Sequence, residues 1–298
     1  MICAVTGATG YFGRFLVKRL IEEGVSVRAW RRQSSDLTGL AEEIEWIDGV
    51  LGSETAAKAL VDGADMLVHA ALAHLPGRYR GGEGNDPQRF WKLNLDGSVA
   101  LLTMARSAGV ERAVVLSSRA VFGRNAEGEL SDDAEPSPDT HYGAVKAELE
   151  TFVRKFADGW PVAALRPTGI YGIVEPLEKS KWLSLVRDTL DGKPVAPRAG
   201  TEVHGDDVAS AAWTLLHAPA DKLAGRAFNC SDIVISHRDI VVLVQEIARA
   251  SGPVPEIGEL PKSVMRTDAL SALGVSFGGR RLFEETMAAL VGAARRPG

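Results

Sequence analysis

Residues 1–15, MICAVTGATGYFGRF, decide the fold of this chain. An apolar run at residues 2–5 breaks into three glycines spaced by three, and an amphipathic helical pattern follows at once. A strand, a glycine turn and the start of a helix form an anion site, because the first helical amides lack backbone acceptors and glycine lets an anion approach closely. We therefore predict that a dinucleotide pyrophosphate binds here, against Gly7, Thr9, Gly10, Tyr11, Phe12 and Gly13.

The rest of the first half alternates between strand and helix patterns. Apolar strand runs are predicted at residues 25–30, 44–47, 66–71, 113–117 and 162–166, with helices between them, as at 53–60 and 87–108. Alternating βα units imply a parallel sheet that is covered by helices on both faces. We expect an α/β fold with a doubly wound parallel sheet of the Rossmann type.

The pattern is looser beyond residue 167. Helices are predicted at residues 182–190, 208–217, 236–250 and 282–294, and one strand at 226–230, around segments rich in proline and glycine. We expect a dinucleotide-binding domain formed by residues 1–166 and 203–230. Residues 167–202 and 231–298 would form a smaller, discontinuous C-terminal lobe that binds the substrate.

Composition excludes some partners. The chain has 298 residues, 45% of them hydrophobic and 24% charged, which is typical of a globular protein with a sizeable core. With 34 basic and 39 acidic residues, the net charge is -5. This balance provides neither a basic face for nucleic acid nor a polybasic patch for a membrane surface. The expected partner is a small-molecule substrate.

The two cysteines, Cys3 and Cys230, lie far apart in sequence. We predict free buried thiols in a reducing compartment, with a single disulfide bridge as the alternative. The sequence has no apolar run long enough to span a bilayer, and the N-terminus lacks the pattern of a signal peptide. A cytoplasmic location is expected. The six histidines show no metal-ligand spacing, so we expect no metal site, and His69 is expected to pack beneath the cofactor.

The end of the second predicted strand governs the choice of cofactor. An NAD-binding fold usually places an acidic residue there to hold the ribose hydroxyls. This chain has Arg31 and Arg32 instead, with Ser34 and Ser35 close behind. A guanidinium pairs with a 2′-phosphate, whereas a carboxylate repels it. The pattern favours NADP, with NAD as the alternative; a solvated basic turn would also explain the charges.

Tyr142 and Lys146 are four residues apart in a predicted helix, so they lie on one face. A lysine ammonium near a phenol lowers the pKa of the phenol, which makes it a usable acid and base near neutrality. Ser118 follows the strand predicted at 113–117, where open α/β sheets place their ligands. Its hydroxyl could hydrogen-bond a substrate oxygen. An incidental surface pair and simple strand-end capping are the alternatives.

These motifs together resemble the extended short-chain dehydrogenase/reductases, and more narrowly their nucleotide-sugar epimerase/dehydratase branch. Three further segments fit the same family in the same order: NLDGS at 94–98, LRPTGIYG at 165–172 and VHGDDVA at 203–209. The likeness covers residues 1–250. It implies hydride transfer between a nicotinamide cofactor and a substrate alcohol or carbonyl.

The resemblance also implies roles for individual residues. Tyr142 would exchange a proton with the substrate, Lys146 would lower the tyrosine pKa and hold the nicotinamide ribose, and Ser118 would orient the substrate oxygen. Asn94 would support this set from its helix. Further cofactor contacts are expected at Lys146 and at the strand ends, from Ala70, Ala71 and Pro167. A homodimer through the helices flanking the fifth strand is implied as well, where Phe152 and Phe156 form an apolar stripe.

At three places the sequence departs from the family pattern, and these departures narrow the cofactor contacts, reactions and substrates that we expect. Val50 stands where members often carry an aspartate that contacts adenine. Arg119 and Ala120 replace the Asp-Glu pair of the dehydratases, which argues against 4,6-dehydration. Gly200 replaces an arginine that grips the diphosphate of nucleotide sugars. We therefore predict an NADP-preferring oxidoreductase or epimerase acting on a sugar or sugar nucleotide. The alternatives are a reductase of a non-sugar ketone or aldehyde, and a non-catalytic NADP-sensing regulator.

Overall fold

A computed structural model of the chain describes residues 1–75, 77–78, 81–157 and 159–295. The strands are β1 (Ile2–Thr6), β2 (Ser26–Arg31), β3 (Glu45–Asp48), β4 (Met66–His69), β5 (Arg112–Leu116), β6 (Gly128–Leu130), β7 (Val162–Pro167), β8 (Gly169–Tyr171), β9 (Ala199–His204), β10 (Ala227–Cys230), β11 (Ile233–Ser236) and β12 (Ser263–Met265).

The helices are α1 (Tyr11–Glu22), α2 (Glu54–Val61), α3 (Pro87–Trp91), α4 (Gly97–Ser107), α5 (His141–Arg154), α6 (Leu183–Leu190), α7 (Gly205–His217), α8 (Ala220–Leu223), α9 (His237–Ala248), α10 (Asp268–Ala272) and α11 (Gly279–Ala294). Within the described ranges, no helix is both long enough and apolar enough to cross a membrane.

The central sheet confirms the predicted fold. Its seven strands pair in parallel in the order β10-β7-β5-β4-β1-β2-β3. The strand order reverses at β1, between β2 and β4, and open sheets of this kind bind ligands beyond the carboxyl ends of the strands at that point. The glycine loop of residues 7–13 leaves β1 at this position.

Alternate residues of each strand enter the cores on opposite faces of the sheet, because side chains alternate along a strand. On β1, Val5 belongs to the core that also holds residues of α1 and α7, whereas Ala4 belongs to the core that holds residues of α2, α4 and α5. Both residues are fully buried. Coverage on both faces explains why the strands appear as continuous apolar runs in the sequence.

Two smaller sheets lie outside the central one. Strands β8, β9 and β11 form one, and β6 pairs with β12 in the other. These strands were not predicted, because they have three to six residues and β9 has the mixed sequence AGTEVH. A separate apolar core joins α6, α9 and α11. Leu270 and Val275, however, pack in the core beneath α1. The proposed domain boundaries stay a prediction.

Two predicted elements differ from the structure. The helix predicted at 87–108 is divided into α3, a π-helical turn at Lys92–Asp96, and α4. The strand predicted at 66–71 ends at His69, because the amides of Ala70 and Ala71 turn to donate to the Thr6 hydroxyl. Cys3 and Cys230 are buried free thiols, as predicted, and burial raises the pKa of both.

Candidate active site

The glycine loop brings two backbones into direct contact beyond β1. Gly7 has a φ of +77°, and a Cβ there would lie 2.7 Å from the carbonyl carbon of Ala70. A Cβ on Gly13 would lie 2.1 Å from the Gly7 carbonyl oxygen. Only glycine fits these positions, and α1 begins directly after Gly10 with no acidic residue in its first turn. The loop therefore offers a pyrophosphate both close backbone approach and a helix N-terminus.

A buried polar chain lies beneath the loop. The Thr6 hydroxyl accepts from the amides of Ala70 (3.2 Å) and Ala71 (3.1 Å), so its own proton goes to His69 Nδ1 at 2.6 Å. The other ring nitrogen, Nε2, then donates to Ser98 Oγ at 2.8 Å. Burial lowers the pKa of His69 to about 3, so the ring is neutral. His69 fixes the ends of β1 and β4, a contact that requires residues 63 positions apart and has no local sequence signal.

Asn94 lies in the π-helical turn and is 2% exposed. Its Nδ2 donates to the carbonyls of Phe90 (2.9 Å) and Ala73 (2.8 Å), and its Oδ1 accepts from the Ala73 amide (2.7 Å). These partners are all backbone groups. The contacts of Asn94 therefore hold the segment after β4, and its role in support of the proposed catalytic residues stays a prediction.

The turn after β5 and the start of α5 are packed against each other. Ser118 caps the 3₁₀ turn Arg119–Phe122, and its Oγ accepts from the Ala120 amide at 3.1 Å. A Cβ on Gly143, the neighbour of Tyr142, would lie 2.3 Å from the Ala120 carbonyl oxygen. Thr140 caps α5 through the Gly143 amide at 3.1 Å. These contacts bring Tyr142 and Ser118 to the same end of the sheet.

Lys146 connects α5 to the end of β5. Its side chain is buried, and Nζ donates to the Leu116 carbonyl at 2.5 Å, two residues before Ser118. Tyr142 is half-buried one turn earlier on the same face of α5. Burial lowers the pKa of Lys146 to about 8, and the charge of Glu150 opposes that change. The amine is mainly protonated at neutral pH, and a cation near a phenol favours the phenolate.

Arg31 is the last residue of β2, the strand that pairs with β1. Its Nε donates to Asp48 Oδ1 at 3.0 Å, because the parallel register places the ends of β2 and β3 side by side. Ser35 Oγ accepts from the Arg32 amide at 2.9 Å and lies 3.5 Å from Thr9 Oγ1. Sequence reasoning missed Asp48, whose pairing with Arg31 depends on the strand register.

Other predicted cofactor contacts use their side chains within the protein. Phe12 is 5% exposed and packs in the core, so only its backbone can face a ligand. Tyr11 Oη donates to the Gly172 carbonyl at 2.7 Å and accepts from the Lys181 amide at 3.1 Å. Tyr11 thus joins the glycine loop to the segment after β8. Pro167 is buried at the carboxyl end of β7.

An ion pair between Lys181 and Glu202 lies beside Gly169, the first residue of β8. A Cβ on Gly200 would lie 3.6 Å from Glu202 Oε1, so positions 200 and 202 of β9 share one face. Burial lowers the pKa of Lys181 and raises that of Glu202, and their mutual attraction opposes both changes. The sequence did not point to this pair.

Comparison with known proteins agrees with this architecture. The chain is 34% identical over 178 residues to the 3 beta-hydroxysteroid dehydrogenase/Delta 5-->4-isomerase of Mycobacterium tuberculosis, covering 56% of this chain and 46% of that protein. It is 32% identical over 179 residues to sterol demethylase protein B of Methylococcus capsulatus, covering 58% and 52%. The chain thus spans about half the length of these curated relatives.

The UDP-glucose 4-epimerase of Thermus thermophilus, solved in complex with NAD, has the same fold, with a TM-score of 0.80 at 23% identity over 100% of both chains. Residues 3–231 match the NAD dependent epimerase/dehydratase family. This match extends over more than half of the sequence and includes the glycine loop, Ser118, Tyr142 and Lys146. The chain belongs to the NAD dependent epimerase/dehydratase family.

Proposed function

We propose that the protein is an oxidoreductase or epimerase that transfers hydride between a nicotinamide cofactor and a secondary alcohol or carbonyl. The observation that carries this proposal is the packing of α5 against the end of β5. Lys146 reaches the Leu116 carbonyl, and Gly143 lies against Ala120. This packing supports the proposal, because it brings Tyr142 and Ser118 towards the carboxyl ends of the strands, where open α/β sheets bind their ligands.

In this proposal the residues of the chain have separate tasks. Tyr142 exchanges a proton with the substrate oxygen, and the Lys146 ammonium stabilises the phenolate that forms. The Ser118 Oγ accepts from Ala120, and its own proton remains available for a substrate oxygen. A regulator that only senses the cofactor would be expected to lack the tyrosine or the lysine, and this chain keeps both.

The glycine loop fits a dinucleotide because its backbone is bare and the N-terminus of α1 faces the turn. When bound, the nicotinamide supplies or accepts the hydride. We propose a preference for NADP over NAD, supported by Arg31 and Arg32 at the end of β2. Asp48 engages Arg31 through Nε and reduces this preference without cancelling it, since the other guanidinium nitrogens can still face a 2′-phosphate.

A sugar or sugar nucleotide is the proposed substrate class, in line with the named activity of the structural neighbour. A second candidate is a non-sugar ketone or alcohol, as the name of the mycobacterial relative indicates. This second candidate is supported by Gly200, which presents no cation to a diphosphate, and by Lys181, whose ammonium group is already paired with Glu202.

A substrate panel tests the proposal. Free sugars, UDP-sugars, simple ketones and 3-hydroxysteroids are each incubated with NADP(H) or NAD(H), and both nicotinamide absorbance and products are followed. We expect turnover with at least one class, and an epimerase would form product without net change in the cofactor. A sensing role would be supported instead if the protein binds the cofactor but converts no substrate class, and if Lys146→Met binds the cofactor as the intact protein does.

We also propose a homodimer through the α4 and α5 face. Phe152 and Phe156 are half-buried there and pack edge to face, with ring centroids 5.3 Å apart. Light scattering of the intact chain at several concentrations tests this, and a monomer at all of them would contradict it.

A further inference from the structure

A buried ion pair lies directly behind the proposed catalytic residues. Arg166 of β7 donates to both carboxylate oxygens of Glu150, from Nε to Oε1 at 2.9 Å and from Nη2 to Oε2 at 2.7 Å. Each side chain is 2% exposed. A third donor, the hydroxyl of Ser117, also binds Oε1. The carboxylate is thus held by three hydrogen bonds in the interior.

The position of Arg166 is fixed by its other contacts. Nη1 donates to the Asp132 carbonyl at 2.8 Å and lies 3.4 Å from Asn229 Oδ1. The guanidinium carbon lies 4.9 Å from the centre of the Phe122 ring. A guanidinium with these partners cannot turn away from Glu150 without leaving buried donors unsatisfied. The bidentate pair therefore fixes the location of the Glu150 carboxylate.

The Glu150 carboxylate lies near both parts of the proposed site, the residues on α5 and the end of β5. Glu150 lies one turn after Lys146 on the same face of α5, as Lys146 lies one turn after Tyr142. Ser117 stands between Leu116, whose carbonyl accepts from Lys146, and Ser118. One carboxylate therefore contacts the strand end that carries Ser118 and lies next to the amine that assists Tyr142.

We propose that Glu150, fixed by Arg166, is a positioning residue that keeps Lys146 charged and holds the end of β5 against α5. This inference rests on the proposed function, because it assigns Lys146 and Ser118 to the reaction. It adds two residues, Glu150 and Arg166, that touch neither cofactor nor substrate.

The charges around Lys146 support this assignment. On α5, Tyr142 and Glu150 flank it; on β4, His69 faces it as a neutral ring. On β7, Arg166 is neutralised by Glu150. Among these groups, Glu150 is the one carboxylate, and its charge raises the pKa of Lys146 against the effect of burial. Without the charge of Glu150, Lys146 would lose its proton at a lower pH.

Direct titration of Lys146 tests the proposal. Protein labelled with ¹³C and ¹⁵N in lysine is titrated by NMR, and the Lys146 signal is assigned as the one absent from Lys146→Arg. We compare the intact chain with E150Q, with R166M and with the double variant E150Q/R166M. The double variant guards against misfolding, because it removes both buried charges together and leaves neither one unpaired.

E150Q and R166M should shift the titration midpoint of Lys146 in opposite directions. Loss of the Glu150 charge should lower its titration midpoint by about one pH unit or more in E150Q, because the neighbouring Arg166 remains positive. R166M should raise the midpoint, and the double variant should fall between E150Q and the intact protein. A Lys146 midpoint that is the same in the double variant and the intact protein, or that moves down in R166M, would overturn the proposal.

Turnover gives a second readout that separates this inference from the proposed function. With a substrate from the panel, the basic limb of carbonyl reduction should move to lower pH in the double variant, and activity should return on acidification. A merely structural role would lower activity at every pH. If Lys146 titrates as expected but Tyr142→Phe is fully active, the positioning role of Glu150 stands and the proposed function fails.

Discussion

One ion pair, Glu150–Arg166, lies near the proposed catalytic residues and another, Arg31–Asp48, lies at the proposed ribose-binding residues, but the two pairs have opposite surroundings. Glu150 and Arg166 are each 2% exposed, whereas Arg31 and Asp48 are 39% and 76% exposed. Water screens the exposed pair, and the buried pair is fixed by hydrogen bonds. We therefore expect the buried charges near Lys146 to affect stability and protonation, and the exposed charges at Arg31 to affect the affinity for the cofactor.

The largest expected effect is on stability at the buried pair. E150Q or R166M alone should lower the free energy of unfolding by about 3–5 kcal/mol, because each leaves one buried charge unpaired. The double variant should recover most of this loss. Urea denaturation measures all three. As a matched control, Arg124→Met breaks an exposed pair with Asp139 and should cost less than about 1 kcal/mol. Equal losses at the two pairs would contradict the expectation that the buried pair contributes more to stability than the exposed one.

At the exposed pair of Arg31 and Asp48, substitutions should change the affinity for the cofactor rather than the stability of the protein. Arg31→Asp should weaken NADPH binding about tenfold and reverse the order of NADPH and NADH, since it exchanges a charged donor for a carboxylate that repels the 2′-phosphate. Asp48→Asn is the control with the opposite sign, because it frees Arg31 and should tighten NADPH binding slightly. Fluorescence titration of both cofactors measures the change. Equal affinities of the unaltered protein for NADPH and NADH would contradict the phosphate argument.

The carboxyl of Asp207 on α7 shows how burial changes a pKa when no cation among the described residues pairs with the group. Its Oδ2 accepts from the Gly278 amide at 3.0 Å. Burial, with smaller effects from Asp232 and Asp206, raises the pKa of Asp207 to about 6. The folded state therefore binds the proton more tightly than the unfolded state does. Stability should fall as pH rises from about 4 to 6, between the unfolded and folded pKa values.

Asp207→Asn should remove that slope. The variant should gain about 1–3 kcal/mol above pH 7, since the pKa is raised from 3.8 to about 6 and one pKa unit is worth about 1.4 kcal/mol. Thermal unfolding across pH 4–8 measures this, with Asp206→Asn as the exposed neighbour that should leave the slope in place. A slope that persists in Asp207→Asn would show that another group causes it.

The sequence predicted those features that local patterns encode. The glycine loop and the pair of Tyr142 and Lys146 each lie within a short continuous stretch of sequence, so periodicity and turn chemistry identify them. The partners that hold these residues come from distant parts of the chain. Asp48 depends on strand register, Thr6 and His69 on the pairing of β1 with β4, and Arg166 on the packing of β7 against α5. No local signal marks such contacts.

The small sheet of β8, β9 and β11 was harder to predict for a related reason. Strands β8, β9 and β11 are short, and their pairing leaves no clear alternation in the sequence. The Lys181–Glu202 pair spans 21 residues between a loop and β9. Residues that choose a substrate depend on such pairings, which is why the family could be predicted before the substrate class.

Tyr142, at the start of α5, is the residue proposed to exchange a proton with the substrate. Tyr142→Phe is compared with Tyr171→Phe, whose buried hydroxyl has no hydrogen-bond partner among the described residues. Turnover and NADPH affinity are measured for both with a substrate from the panel. Tyr142→Phe should lose turnover by about 100-fold or more while NADPH affinity stays nearly unchanged, and Tyr171→Phe should remain active. A fully active Tyr142→Phe would contradict the catalytic assignment.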